Sequence, residues 1–342
     1  MSTGAGAAAA APAARSVWRT AALRVTGSAL LLLLLFLLLP LDDFWTALGR
    51  IPPGLWLAAL GAYLCAHLLG VTKWRLLVNT AGAALARRDA VRCYYLGLFG
   101  NTFLPSVVGG DLVRAGAALR RVRSQEALVL GSLIDRVQDV LALAAVAGLG
   151  ALLLPTALDD SSRRVFWWVA ASFALLAAGA VLAVRMLPGR RFPRRIRRRL
   201  VRVRAAYRAL SRRPRALLAA VLMGMLLQVG MIVLNAWLAG LIGLNAPFQV
   251  WLFVWPLAKI AATLPLTQGG LGVREAALAA LFAPFGIAPA AAVTASLAFQ
   301  FVVISGGLTG GLLYMLLGRV WAEPATPLPA RAPAPRPSIS VR

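Results

Sequence analysis

Two short segments hold the residue types best suited to chemistry. Leu104-Pro105-Ser106-Val107-Val108-Gly109-Gly110-Asp111-Leu112-Val113-Arg114 aligns without a gap on Leu264-Pro265-Leu266-Thr267-Gln268-Gly269-Gly270-Leu271-Gly272-Val273-Arg274, 160 residues later. Both segments interrupt apolar stretches. Backbone freed by proline and paired glycines costs several kcal/mol per unsatisfied group in lipid, so it must line a cavity or pack on protein. Gly109, Gly110, Gly269 and Gly270 would let backbone N–H groups approach a ligand. A helix starting after each pair points its positive dipole end at the break, with Arg114 and Arg274 in its first turns. Lys259, one of two lysines in the chain, lies inside the second broken region. This set suits the phosphate of an anionic headgroup. One such segment alone could be an ordinary loop with packing glycines; the second copy favours paired broken helices.

A further set of charges sits in Leu133-Ile134-Asp135-Arg136-Val137-Gln138-Asp139-Val140. On a helix, Asp135 and Asp139 share a face, while Arg136 points elsewhere, toward another helix or the interface. Charge at the centre of a membrane costs at least about 2.5–3.5 kcal/mol and is normally paired within the protein. Arg114, Arg274 and Lys259 are the candidate partners. The reading is open between a structural ion pair and a gating or substrate-coupling role. Asp111 and Glu275 accompany the two arginines near helix starts, where an acid can also be a simple dipole partner. His67, Asn101, Gln228, Asn235, Gln268 and Gln300 read individually as helix-packing groups. Lys73, Trp74 and Arg75 read as an interfacial anchor of aromatic and snorkelling side chains.

Several chemistries lack their residues. No phosphate-binding Walker sequence is present, and Gly269-Gly270-Leu271-Gly272 does not complete a dinucleotide fingerprint. One histidine and two separated cysteines, Cys65 and Cys93, make neither an ordinary zinc site nor a disulfide framework. No serine–histidine–aspartate set is evident. The expectation is a protein without cofactor or metal that is not itself an enzyme.

The elements that must position these residues are membrane helices. Of the 342 residues, 60% are hydrophobic and 14% charged, and mean hydropathy is +0.78. Apolar runs of about 20 residues recur along the chain. Full spans are expected at about 22–39, 54–78, 127–154, 165–187, 216–242 and 290–317. The broken regions, 94–112 and 250–286, then re-enter, one from each side; a full crossing by either would raise the count to seven or eight. The fold class is therefore all-α, a polytopic transmembrane bundle of six full spans and two re-entrant or broken-helix regions. Three spans between the copies make the repeat inverted. Residues 1–20 and 319–342 are low-complexity segments expected to be disordered. The membrane domain occupies 21–318, with halves at about 21–187 and 216–318.

The net charge of +25 would suggest nucleic acid in a soluble protein. Here the cations sit at helix ends and in loops, which points to membrane topology and anionic lipid instead. Thirteen of the 28 residues in 188–215 are arginine, and no acid occurs between Ser161 and Arg274. That loop belongs on the cytoplasmic face, with both termini. Ile196, Leu200, Val203, Tyr207 and Leu210 make it an amphipathic basic helix suited to the inner membrane surface; a solvated loop is the plainer alternative.

The two Pro…Gly-Gly…Arg segments, together with Ile134-Asp135-Arg136, resemble the lysylphosphatidylglycerol synthase transmembrane-region family, also called flippase-like proteins. The resemblance covers about residues 20–318. By resemblance, Gly109, Gly110, Asp111, Arg114, Asp135, Arg136, Gly269, Gly270, Gly272, Arg274 and Glu275 fall on the family's motif positions. It implies a lipid-translocating domain in the cell membrane. The best-known members add a soluble domain that aminoacylates phosphatidylglycerol; this chain ends soon after its last span, so synthase activity is not expected. The expected function is translocation of an anionic phospholipid or lipid-linked intermediate. The alternatives are an enzyme or accessory subunit using a lipid-phosphate-linked donor, and a membrane scaffold. Expected partners are anionic lipids, a second copy of the chain and a separate lipid-modifying enzyme.

Overall fold

A computed structural model describes residues 49–103, 109–154, 194–263 and 272–320, with a few isolated positions besides. The expected spans at 22–39 and 165–187, the pair Gly269-Gly270 and the terminal segments lie outside the described residues, apart from the start of the last one. Every described element is helical. In chain order they are α1 (Pro53–Thr80), α2 (Arg87–Phe103), α3 (Gly109–Ala118), α4 (Gln125–Leu152), α5 (Arg194–Ser211), α6 (Pro214–Leu241), α7 (Phe248–Ala261), α8 (Val273–Phe282) and α9 (Pro289–Val320).

Local chemistry sets these boundaries. Helices α1, α6 and α9 each begin on a proline, whose missing N–H costs nothing in a first turn. Gly82 and Gly243, with φ of 104° and 93°, let the chain turn away after α1 and α6. Ser124 caps α4, its Oγ accepting the Ala127 N–H at 3.2 Å. Helices α1, α4 and α6 have 28 residues and α9 has 32, so each is about 42 Å or longer at about 1.5 Å per residue; α1, α6 and α9 are also apolar enough to cross a bilayer, while α4 carries Asp135, Arg136 and Asp139 near its middle. Arms α2, α3, α7 and α8 have 17, 10, 14 and 10 residues, too few for about 30 Å of hydrocarbon each. Large apolar side chains point outward along the long helices, among them Leu218, Leu222 and Leu226, as suits a lipid solvent.

The 160-residue offset holds for the helices themselves. Shifted by 160, α1 and α2 fall on α6 and α7, and α3 and α4 overlap α8 and α9. Packing is exchanged in the same way: α2 lies along α9 as α7 lies along α4, and α2 pairs with α3 as α7 pairs with α8. Helix α1 runs antiparallel to α4, because Val78 is level with Gly131 and Lys73 with Asp139. Helix α4 runs parallel to α6, with Gln138 reaching Leu217 and Ala142 beside Gly224. Hence α1 and α6, the leading helices of the two halves, point in opposite directions, and the repeat is inverted.

Each broken region is a pair of helical arms whose outer ends lie together at one end of the bundle, as a re-entrant hairpin requires. The end of α1, both ends of the α2–α3 hairpin and the start of α4 meet at one end of the bundle. There Arg123 N–H donates to the Ala83 carbonyl and Arg121 pairs with Asp89. Helix α5 joins this end through Arg202 and Glu126, 3.0 Å apart. At the opposite end, Trp251 at the start of α7 stacks edge-on with Phe282 at the end of α8, and Gly150 near the end of α4 touches Phe253.

Helix α5 differs from its expectation. It is helical and basic, but the apolar side of its second half, Val203 to Leu210, packs on protein; the side chains of Ile196 and Leu200 lie outside the described residues. Ala206 and Leu210 are buried, and Val203 and Tyr207 pack on the core between α1, α4 and α6. Burial against protein removes the apolar face that interfacial binding requires.

Candidate functional site: a charged cavity between the repeats

The two hairpins border a cavity of about 300 Å³. Asn101, Gly110, Asp111 and Arg114 line it from the first hairpin, and Lys259, Thr263 and Arg274 from the second. Arg136 and Asp139 of α4, Gln228 of α6, and His67, Thr102 and Gln300 add to the charged and polar wall. Aromatic residues Tyr63, Tyr94, Trp255 and Phe299 make much of the rest.

The first half ties its charges into one network. Arg114 Nη2 donates to Asp135 at 2.9 Å and lies 3.1 Å from Asp111. Arg136 donates to the other oxygen of Asp111. Lys73 sits 3.0 Å from Asp135 and also donates to Asp139. Six charges on α1, α3 and α4 thus neutralise one another, three of each sign. The Arg114 guanidinium also lies over the rings of Trp74 and Tyr94, at 4.6 and 5.0 Å, which favour a cation on their faces.

The second half solves the same problem with fewer charges. Arg274 donates to Glu275 at 2.7 Å and to the Ser296 hydroxyl at 3.0 Å, under the Trp255 ring. Glu275, fully buried, also accepts the Ser296 hydroxyl and the Gly272 N–H, at 2.7 and 2.6 Å. It therefore caps α8, where Gly272 takes a φ of 83° that a side chain would resist. Lys259 hydrogen-bonds to Gln228 at 2.9 Å and, among the described residues, has no carboxylate within ion-pair distance.

Several sequence readings change in this light. Lys73 and Trp74 are no interfacial anchor: they are 2% and 0% exposed, and Lys73 is the cation that Asp135 and Asp139 share. The clue was available, since two acids one turn apart, with Asp111 nearby, demand more cations than Arg114 and Arg136 provide. Of the proposed partners for Asp135 and Asp139, Arg114 pairs with Asp135, whereas Arg274 and Lys259 find other groups. Gly109 and Gly110 do not precede the helix but begin it. The Gly110 N–H is taken by the Asn101 side chain at 2.9 Å, so it is not open to a ligand. A Cβ at Gly110 would strike α2 at Gly97 and Asn101, which makes close arm-to-arm packing its evident role. Cys65 and Cys93 are free thiols. No group of histidine, cysteine and acidic residues suited to a metal occurs among the described residues.

Comparison with curated proteins finds no match. Residues 21–310 match the family described as the lysylphosphatidylglycerol synthase TM region. That span takes in both hairpins, the network and the cavity. The chain accordingly belongs to the lysylphosphatidylglycerol synthase transmembrane-region family, and is a multi-pass membrane protein of lipid metabolism or transport.

Proposed function

We propose that the chain translocates an anionic phospholipid or lipid-linked intermediate across the cytoplasmic membrane. The observation that carries this reading is a cavity lined by both inverted hairpins, with Arg114, Lys259 and Arg274 on its walls. Inverted repeats that meet at a central site allow one half to rock on the other, opening the site to each face in turn. The headgroup occupies the cavity while its acyl chains stay against the apolar outer faces. The Lys73–Asp135–Arg114 network holds the first half together, and the Arg274–Glu275–Ser296 cluster holds the second. The arginine-rich end, with Arg120, Arg121, Arg123, Arg202 and Arg208, faces the cytoplasm by the positive-inside rule. The protein acts by binding and movement, with no covalent step.

Reconstitution tests it. Vesicles containing the protein should move a fluorescent anionic phospholipid between leaflets faster than empty vesicles. Arg274→Ala, which leaves Glu275 buried without its cation, should bring the rate to background. Equal rates in loaded and empty vesicles would refute the proposal, and turnover of a polyprenyl-phosphate sugar by the purified protein would favour an enzyme instead.

A further inference from the structure

The chain has 11 acidic residues against 36 basic ones, and their placement leaves one region without an acid. Asp111, Asp135, Asp139 and Glu275 belong to the clusters beside the cavity. At the arginine-rich end, the acids among the described residues are Asp89 and Glu126, and each is already paired, with Arg121 and Arg202. The corner between α5 and α6 holds cations alone. Arg212, Arg213 and Arg215 fall within four positions and are all exposed, and no acid among the described residues pairs with them. Like charges so close repel one another until an anion enters.

The register of the helices puts this corner at the edge of the hydrocarbon. Helices α4 and α6 run parallel, with Ala142 beside Gly224. Counting back along both, Leu133 of α4 is level with Arg215, and Leu133 is 56% exposed. On α6 itself Leu218, Leu222 and Leu226 are exposed at every fourth residue and form one outward stripe. Arg215 stands at the head of that stripe, three residues before Leu218 and on the same face. The stripe runs for about 12 Å at about 1.5 Å per residue, close to the half-thickness of about 15 Å that one leaflet fills. Another side of α6, with Leu227, Gln228 and Met231, lines the cavity. A soluble acidic partner could meet the arginines but cannot cover leucines at membrane depth. A phospholipid covers both.

We infer that this corner and stripe form a binding site, outside the cavity, for one anionic phospholipid of the cytoplasmic leaflet. Arg212, Arg213 and Arg215 hold its phosphate, and an acyl chain lies along Leu218, Leu222 and Leu226. Guanidinium groups suit phosphate because their N–H groups meet its oxygens in pairs. Long arginine side chains keep their stems on apolar surface while the charged ends reach headgroup level. The bound lipid has a structural consequence. Helix α5 is fixed to the first half through Arg202 and Glu126, and α6, which leads the second half, begins three residues after α5 ends. A lipid seated on the corner therefore ties the joint between the halves to the leaflet. The site is independent of what the cavity carries.

The test uses the full-length protein in detergent, with phosphatidylglycerol and phosphatidylcholine on matched acyl chains and soluble glycerophosphoglycerol as probes. Phosphatidylglycerol with a photoreactive group in its acyl chain should label the segment 214–226, which peptide mass spectrometry locates and which holds no cavity-lining residue. Labelling should need about tenfold less phosphatidylglycerol than phosphatidylcholine, the scale expected when two or three cations face one anionic headgroup. Phosphatidylglycerol should also raise the unfolding temperature, and glycerophosphoglycerol should not. Replacing Arg212, Arg213 and Arg215 together by glutamine should remove both effects, while Lys259→Gln, on the cavity wall, should keep them. Arg215→Gln alone should cut the labelling several-fold, which keeps the test decisive if the triple variant does not fold. Unchanged labelling in a folded triple variant or in Arg215→Gln would overturn the inference, as would label confined to cavity residues. Stabilisation by glycerophosphoglycerol equal to that by the lipid would overturn it as well.

Discussion

Asp135 is the residue on which the first half turns. It is 2% exposed and accepts from Arg114 while facing Lys73 at 3.0 Å. Removing its charge takes one of two carboxylates from both Arg114 and Lys73 and leaves the buried network with one uncompensated cation. Breaking a buried ion pair from one side typically costs about 3–5 kcal/mol, because the remaining charge has no solvent to return to. Asp135→Asn should therefore lower the melting temperature in detergent by many degrees, well beyond the effect of Arg202→Ala, which removes a pair whose arginine is two-thirds exposed. Equal melting of the two variants would show that the network is decorative. Glu275 works differently, since one carboxylate serves a cap, a serine and an arginine. The pairs Asp135–Arg114 and Glu275–Arg274 are thus two solutions to holding an arginine beside a shared cavity.

At the scale of elements, the hairpins depend on contacts too close for side chains. A Cβ at Gly150 would lie 2.5 Å from the Phe253 backbone nitrogen, where α4 meets α7. Its counterpart 160 residues on, Gly310, meets the Tyr95 carbonyl at 2.7 Å, where α9 meets α2. Small residues at such crossings let membrane helices approach closely enough for dispersion forces to hold them, since the hydrophobic effect offers little between helices in lipid. Gly150→Leu should destabilise the fold by about 1–3 kcal/mol or displace the second hairpin, since the obstruction is backbone that cannot rotate away. Gly230→Ala is the matched control: its Cβ meets nothing within 4 Å, so α6 should keep or gain stability through better helix propensity. Thermal unfolding of the two variants side by side checks both outcomes.

For the whole molecule, inverted symmetry makes a mechanical demand. If one half rocks against the other, a covalent link between them must stop transport. Ala142 of α4 and Gly224 of α6 offer such a link, with a Cβ at position 224 placed 3.9 Å from that of Ala142. This lies inside the range of about 3.5–4.5 Å that a disulfide needs. Ala142→Cys with Gly224→Cys, in a background with Cys65 and Cys93 replaced by alanine, should lose lipid movement when oxidised and regain it on reduction. Movement at an unchanged rate in the fully cross-linked protein would rule out rocking across this interface.

The sequence by itself determined the described helices and the pairing of the two hairpin regions. Apolar runs, prolines at helix starts and the Pro…Gly-Gly…Arg copies are local signals, and local chemistry is enough to read them: α4, α6 and α9 begin within two residues of the expected positions. The inversion expected from three intervening spans agrees with the opposed directions of α1 and α6, although the middle one of those spans lies outside the described residues. What the tertiary structure decided was which charge meets which. Lys73 and Asp139 are 66 residues apart in the chain, and Lys259 and Gln228 are 31 apart. Nothing local distinguishes a lysine bound for the interface from one bound for the core, since both sit near the end of an apolar helix. The same limit applied to α5, whose periodicity marked an apolar face without saying whether lipid or protein would cover it. Ion pairing and burial are relations between distant segments, and they acquire values only when the fold brings those segments together.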